Sequence, residues 1–268
     1  MEGRAQAAPL RMPSPAGVHG LVPAARIEAG PRGRHVVVVE DEVDLAGLIC
    51  YNLEREGYAP RWLSAGPQAL ADIRARPPDL ILLDRMLPLM SGDEVVAALR
   101  RDTATAAVPI IMLTAKVEEA DQLVGFALGA DDYITKPFSM KVLLARVAAI
   151  LRRGESAAAP DAPVLVEGPF TLDLGRHALS VDGRGVPLTA TEFRMLSVLM
   201  AARGRVLDRP RLIDRVLGAG TVVTDRTIDV HITALRKKIA AASPGGEAAG
   251  WIHTVRGVGY AFRSPSDD

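Results

Sequence analysis

Five residues able to do chemistry together stand where apolar runs stop. Glu40 and Asp41 follow HVVVV, Asp84 closes LILLD, Thr114 closes VPIIMLT, and Lys136 follows DYIT. In open parallel sheets, ligands bind where strands end at their carboxyl edge, so residues far apart in sequence can converge on one crevice. Three carboxylates gathered there repel one another unless a cation compensates them. A hard divalent ion with oxygen ligands resolves the conflict, and Mg2+, which keeps several waters and needs only one or two carboxylates, fits best. Lys136 adds a second positive charge and Thr114 a hydroxyl. A carboxylate in that setting is placed to attack a phosphoryl group and become an acyl phosphate, because phosphoryl transfer depends mainly on positioning and charge neutralisation. Taken singly, an Asp after a strand is usually a turn former or helix cap, and Lys136 before Pro137 fits a solvated loop. The joint placement at matching strand ends carries the inference.

The elements that position these residues are legible as alternating strands and helices. HVVVV is followed by a helical stripe through Val43, Leu45, Leu48, Ile49 and Leu53 that stops at Gly57. YAPRWL, DLILLD, VPIIMLT and DYIT read as four further strands, with helical segments near 66–75, 93–101, 118–128 and 139–152. Strands apolar along their whole length are covered on both faces, which points to a doubly wound α/β domain with a parallel sheet. The apolar LILL run is then a buried strand, and Asp84 its tip.

The chain has 268 residues and a formal net charge of +0, a length that suits two domains. Residues 35–153 carry 13 Lys/Arg against 17 Asp/Glu, and residues 164–268 carry 14 against 11. A polyanion is therefore expected to meet the second half. Residues 1–34, rich in Ala, Gly, Pro and Arg without a continuous apolar core, read as a disordered tail. RRGESAAAPDAP breaks the pattern, so residues 154–163 read as a flexible linker, and 265–268 as a terminal tail. Between them, short strands, three helical segments and a final hairpin give an α+β order over residues 164–264. Thr189 and Glu192 stand at capping-box spacing. The helix expected over 225–239 has an apolar stripe of Ile228, Ile232, Leu235 and Ile239 that turns Arg226, Val230, Thr233, Ala234 and Lys237 outward. A basic helix following another helix, then a hairpin with Arg256 near its tip, is the layout of a winged helix-turn-helix. The single Cys50 excludes an internal disulfide and is expected to be buried as a small hydrophobe. No stretch is long and apolar enough to span a membrane, and a cytoplasmic location is expected.

VVVVEDE, LILLDRMLP, IIMLTA and GADDYITKPF resemble the receiver domain of bacterial two-component response regulators across residues 35–153. The resemblance implies a flavodoxin-like sheet in the order 2-1-3-4-5 and phosphorylation of Asp84 by a sensor histidine kinase. It further implies Mg2+ held by Asp41, Asp84 and the main-chain carbonyl of Met86, with Glu40 acting through water. Thr114 and Lys136 would grip the phosphoryl oxygens, Tyr133 would be an aromatic switch, and the Lys136–Pro137 bond would be cis. A haloacid-dehalogenase-type phosphatase places a second acid two residues after its nucleophile. Met86 occupies that position here, so no enzymatic turnover is expected.

DRTIDVHITALRKKI with IHTVRGVGYAF resembles the DNA-binding domain of the OmpR/PhoB subfamily over residues 164–264. That likeness implies a helix in the major groove of promoter DNA and a wing in an adjacent minor groove. Arg226, Val230, Thr233 and Ala234 would meet the bases. His231, Arg236, Lys237, Thr254 and Arg256 would contact the backbone or the wing's groove. Family members often carry Arg where Thr233 and Ala234 stand, and Thr and Ala cannot read guanine bidentately, so a site read through thymine methyls and DNA shape is expected. The likeness also implies a homodimer on phosphorylation, with Asp132 and Arg146 available for a charged pair. Gln122, Val142 and Ala149 stand where the family commonly has charges, so the dimer face should be more apolar or weaker. The loop GAGTVV, residues 218–223, would face RNA polymerase. A constitutive DNA-binding protein whose receiver only scaffolds a dimer remains the alternative.

Overall fold

HVVVV forms β1 (His35–Val39) in the interior of a sheet because four successive valines can be covered on both faces, and Val36 to Val39 are all fully buried. Burying such a side chain is worth about 1.5–3 kcal/mol. The structure is a computed structural model that describes residues 33–115, 128–155, 163–218 and 225–267. Around β1 lie β2 (Ala59–Leu63), β3 (Leu80–Asp84), β4 (Ile110–Thr114) and β5 (Asp132–Thr135), all parallel, in the order β2-β1-β3-β4-β5. The expected strand order is met. Helices α1 (Val43–Arg55) and α4 (Met140–Glu155) pack on one face of the sheet with Leu80, Leu82, Ile111 and Leu113. Helices α2 (Gly66–Ala75) and α3 (Gly92–Arg100) pack on the other face with Ile81, Leu83, Ile110 and Met112. The alternation of those strand residues between two cores is the period of two expected of a pleated strand. The helical segment expected near 118–128 falls on residues outside those described, except at its last position.

The stripe expected on α1 needs correcting. Ala46, Ile49 and Leu53 are buried, while Val43 is 62% and Leu48 49% exposed. At 3.6 residues per turn Leu48 lies about 100° round the helix from Ile49, and Val43 stands in the first turn beside the open carboxyl edge of the sheet. Cys50 is half-buried rather than buried, and burial pushes its thiol above the ordinary value. Residues 1–32 of the tail, most of the linker and residues 219–223 of the loop expected to face RNA polymerase fall outside those described, while Arg34, assigned to the tail, pairs with Asp79 at 2.5 Å.

Beyond residue 163, β6 (Val164–Glu167), β7 (Phe170–Asp173), β8 (Ala178–Val181) and β9 (Arg184–Val186) make an antiparallel meander. Helix α5 (Ala190–Ala201) starts at Thr189 with the expected capping box, since Thr189 accepts from the Glu192 amide and Glu192 accepts from the Thr189 amide. The strand β10 (Leu207–Asp208), α6 (Arg209–Val216), α7 (Asp225–Ala242) and the hairpin β11 (Ile252–Val255) with β12 (Gly259–Phe262) complete the winged helix. Ile228, Ile232, Leu235 and Ile239 are each fully buried, as their spacing requires. Phe170, Phe262 and Trp251 lock the first sheet to the hairpin through edge-on and tilted ring contacts with centroids 4.9–5.7 Å apart. Gly259 has no room for a side chain, because an added Cβ would lie 2.0 Å from the Leu207 carbonyl oxygen of the neighbouring strand.

Candidate functional site

The carboxyl ends of β1, β3, β4 and β5 bring the expected residues together. Glu40 follows β1 and is 1% exposed; Asp84 ends β3 and is 5% exposed; Thr114 ends β4 and is buried; Lys136 follows β5. The Lys136 ammonium donates to both Glu40 oxygens, at 3.0 and 2.8 Å, and to Asp84 Oδ2 at 2.6 Å. Asp84 Oδ1 accepts from the Met86 amide at 3.0 Å, which sets the rotamer of the carboxylate. The Lys136–Pro137 peptide bond is cis, as expected. Pro137 and Met86 are exposed at the mouth of the site, and Tyr133 is buried behind it in the core cluster of α2 and α3.

Glu40, Asp41 and Asp84 each present a ligand atom within 4.8 Å of one another. Burial pushes the Glu40 carboxyl up to about 7 despite the hydrogen bonds from Lys136, and the Asp84 charge pushes the same way. Burial opposes the Lys136 ammonium, but its bonds to Asp84 and Glu40 win and hold it above the ordinary lysine value. One ammonium therefore does not satisfy the site. An all-oxygen acidic donor set with one exposed member, Asp41, fits a hard divalent cation that retains water.

Gly92, a residue that pattern reading passes over, shapes this pocket. A Cβ there would lie 2.3 Å from the Asp84 carbonyl oxygen and 2.9 Å from the Arg85 Cα. The start of α3 thus presses directly on the backbone of the acceptor aspartate. Only a glycine allows that approach, and nothing local in the sequence announces it.

On the second domain, Arg226, Thr233, Lys237, Thr254 and Arg256 are exposed, as expected of groups that face DNA. Ala234 is half-buried. Two residues depart from expectation. Val230 packs against the receiver core that contains Tyr133, and His231 is 2% exposed, with burial pushing its imidazole down to about 4. Both are turned into the protein because the receiver covers that side of α7. Arg236 and Thr254, both assigned to DNA, meet each other: Arg236 donates to Thr254 Oγ1 at 2.8 Å and to the Ile252 carbonyl. Sequence reading also missed the link from Asp229 to Arg209 at 2.8 Å and to the Tyr260 hydroxyl at 2.6 Å, which joins α6, α7 and the wing. Asp132 and Arg146 pair at 2.6 Å within one receiver. Val142 is exposed and Ala149 half-buried, while Gln122 lies outside the described residues.

Comparison with known proteins agrees with this construction. Residues 36–148 match the response regulator receiver domain, and residues 183–262 match the C-terminal domain of transcriptional regulatory proteins. The sensory transduction protein RegX3 of Mycolicibacterium smegmatis is 45% identical over 229 residues, covering 84% of this chain and 97% of that one. The phosphate regulon transcriptional regulatory protein PhoB of Escherichia coli K12 is 41% identical over 229 residues, covering 85% and 97%. Among solved structures, a RitR mutant superposes with a TM-score of 0.70 at 27% identity, covering 87% of this chain and all of that one. The chain belongs to the OmpR/PhoB subfamily of two-component response regulators. It is a DNA-binding regulator of transcription that joins a receiver to a winged helix-turn-helix domain, with a sensor histidine kinase and promoter DNA as its implied partners. The relatives' role as transcriptional regulators implies a non-enzymatic function. No described helix is long and apolar enough to cross a membrane.

Proposed function

We propose that Asp84 is the phosphoacceptor. The observation that carries this is the ammonium of Lys136 seated 2.6 Å from Asp84 Oδ2 beside two further carboxylates. An Asp84 oxygen attacks the phosphorus of a kinase phosphohistidine, the P–N bond breaks with its electron pair leaving on the imidazole, and an acyl phosphate forms. Asp41, Asp84 and the Met86 carbonyl would hold Mg2+, with Glu40 acting through water, and the ion would supply neutralisation of phosphoryl charge. Lys136 and Thr114 then hold the new phosphoryl oxygens. One charge-assisted hydrogen bond supplies about 1.5–3 kcal/mol, and swinging a population from 1:99 to 99:1 takes about 5.5 kcal/mol, so both residues act together. Two receivers pair, and their DNA-binding domains occupy half-sites about one helical turn apart. A gel shift on a duplex spanning the region upstream of the chain's own gene tests the reading. Affinity should rise with a small phosphodonor and Mg2+ for the native chain but not for Asp84→Asn. Equal affinity in both states would make the protein a constitutive binder.

The DNA face divides into groups that touch phosphate and groups that hold the wing. Lys237 is exposed and free to neutralise one phosphate, so Lys237→Ala should lower the slope of log affinity against log salt by about 1. Arg236 is occupied by Ile252 and Thr254. Arg236→Ala should therefore loosen the wing and weaken binding with little change in that slope. Titrations over a range of salt distinguish the two, and equal slope changes would return Arg236 to the phosphate contacts.

A further inference from the structure

β1 ends where the acids of the pocket begin, and the edge strand β2 holds that end from one side. The Glu40 amide donates to the Leu63 carbonyl at 3.0 Å. The Trp62 indole N–H donates to the Glu40 carbonyl at 2.8 Å. Val38 pairs with Trp62 and Val39 with Leu63 in the parallel ladder, so one further rung would join the Glu40 carbonyl to the amide of Ala65. But β2 stops at Leu63, and Ala65 is already the N-cap of α2. The indole therefore stands in for that rung, and it gives a partner to the carbonyl of a residue only 1% exposed.

This bond reaches the pocket through the backbone. A peptide unit is planar, so holding the Glu40 carbonyl also fixes the direction of the Asp41 amide and the place of the Asp41 Cα. Glu40 has an anchor of its own, because its carboxylate accepts both hydrogen bonds from Lys136. Asp41 is exposed and follows the backbone. Its carboxylate nonetheless belongs to the trio with Glu40 and Asp84 whose ligand atoms lie within 4.8 Å of one another. Mg2+ demands near-octahedral oxygens at about 2.0–2.1 Å. A peptide free to rotate at Glu40 would misplace one of them.

We infer that Trp62 is a positioning residue for the cation: its N–H orients the Glu40–Asp41 peptide and thereby sets the affinity of the acidic trio for Mg2+. The inference rests on the reading of Glu40, Asp41 and Asp84 as a cation site. Strand propensity alone would also place an aromatic residue on β2, and Trp62 is 42% exposed. Phe or Val would meet that propensity equally well, yet neither can donate a hydrogen bond.

That difference is the basis of the test. Mg2+ is titrated calorimetrically into the full chain at pH 8, where an exposed imidazole is neutral. Trp62→Phe keeps an aromatic ring and removes the donor. Trp62→His keeps a ring N–H, because Nε2 occupies the place in its five-membered ring that the indole nitrogen holds in tryptophan. Partners that orient metal ligands from outside are worth about 10–100-fold in affinity, so Trp62→Phe should bind Mg2+ about tenfold more weakly and Trp62→His close to native. The Mg2+ concentration giving half the maximal rate of phosphoryl gain at Asp84 should rise by the same factor in Trp62→Phe, while the rate at saturating Mg2+ falls far less. A purely structural role would move the urea midpoint and leave that concentration alone. Native Mg2+ affinity in Trp62→Phe, or equal weakening in both variants, would overturn the inference. Should Trp62→Phe lose its far-UV circular dichroism, Trp62→Val, β-branched and suited to a strand, decides in its place. Absence of Mg2+ binding by the native chain would strike the cation site and the inference together, whereas native binding with an indifferent Trp62→Phe would strike the inference alone.

Discussion

Intact-mass spectrometry after treatment with a small phosphodonor and Mg2+ should show one added phosphoryl group on the native chain and none on Asp84→Asn. The substitution removes the carboxylate oxygen that Lys136 holds at 2.6 Å at the tip of β3. An amide in its place presents a neutral oxygen and an NH2 group, and neither forms the anhydride. The fold should survive, because Glu40 keeps both hydrogen bonds from Lys136 and one charge leaves a crowded acidic cluster. Matching far-UV spectra with a missing mass gain would therefore place the defect in the chemistry. A gain of equal size on Asp84→Asn would put the acceptor elsewhere and sink the proposed function.

Arg100→Ala should destabilise the receiver by about 3–5 kcal/mol, the cost of leaving a buried charge without its partner. Arg100 is 8% and Asp131 3% exposed along their side chains, so water cannot replace the lost pair. Its guanidinium also donates to the carbonyls of Gly129 at 2.9 Å, Ala106 at 3.1 Å and Val108 at 2.7 Å, joining the end of α3 to the loops before β4 and β5. Domains of this kind hold about 5–15 kcal/mol in total, so the loss should appear as a large fall in the urea midpoint. Removing both charges with Arg100→Met and Asp131→Asn should cost less than Arg100→Ala alone, since no unpaired charge remains. A single-variant loss below about 1 kcal/mol would show that Asp131 finds compensation without Arg100.

Much of this protein is determined by local pattern. Continuous apolar runs, the capping residues Thr189 and Glu192, and acids at strand ends define five parallel strands, the start of α5 and the acidic pocket. They act through neighbours a few residues away or through strand ends that any doubly wound sheet brings together. The four isoleucine and leucine positions of α7 follow for the same reason, since 3.6 residues per turn leaves them one line to bury.

Tertiary structure alone decided the rest, wherever a partner comes from a distant part of the chain. Gly92 is needed because the Asp84 backbone lies where a Cβ would be, not because of its own backbone angles. Arg236 reads as a DNA contact on its helix, yet the wing's Ile252 and Thr254 take it. Asp131 and His231 are buried, and Val230 half-buried, because a second domain covers them. Periodicity records which side of a helix or strand avoids water, and it is silent about which of two domains does the covering.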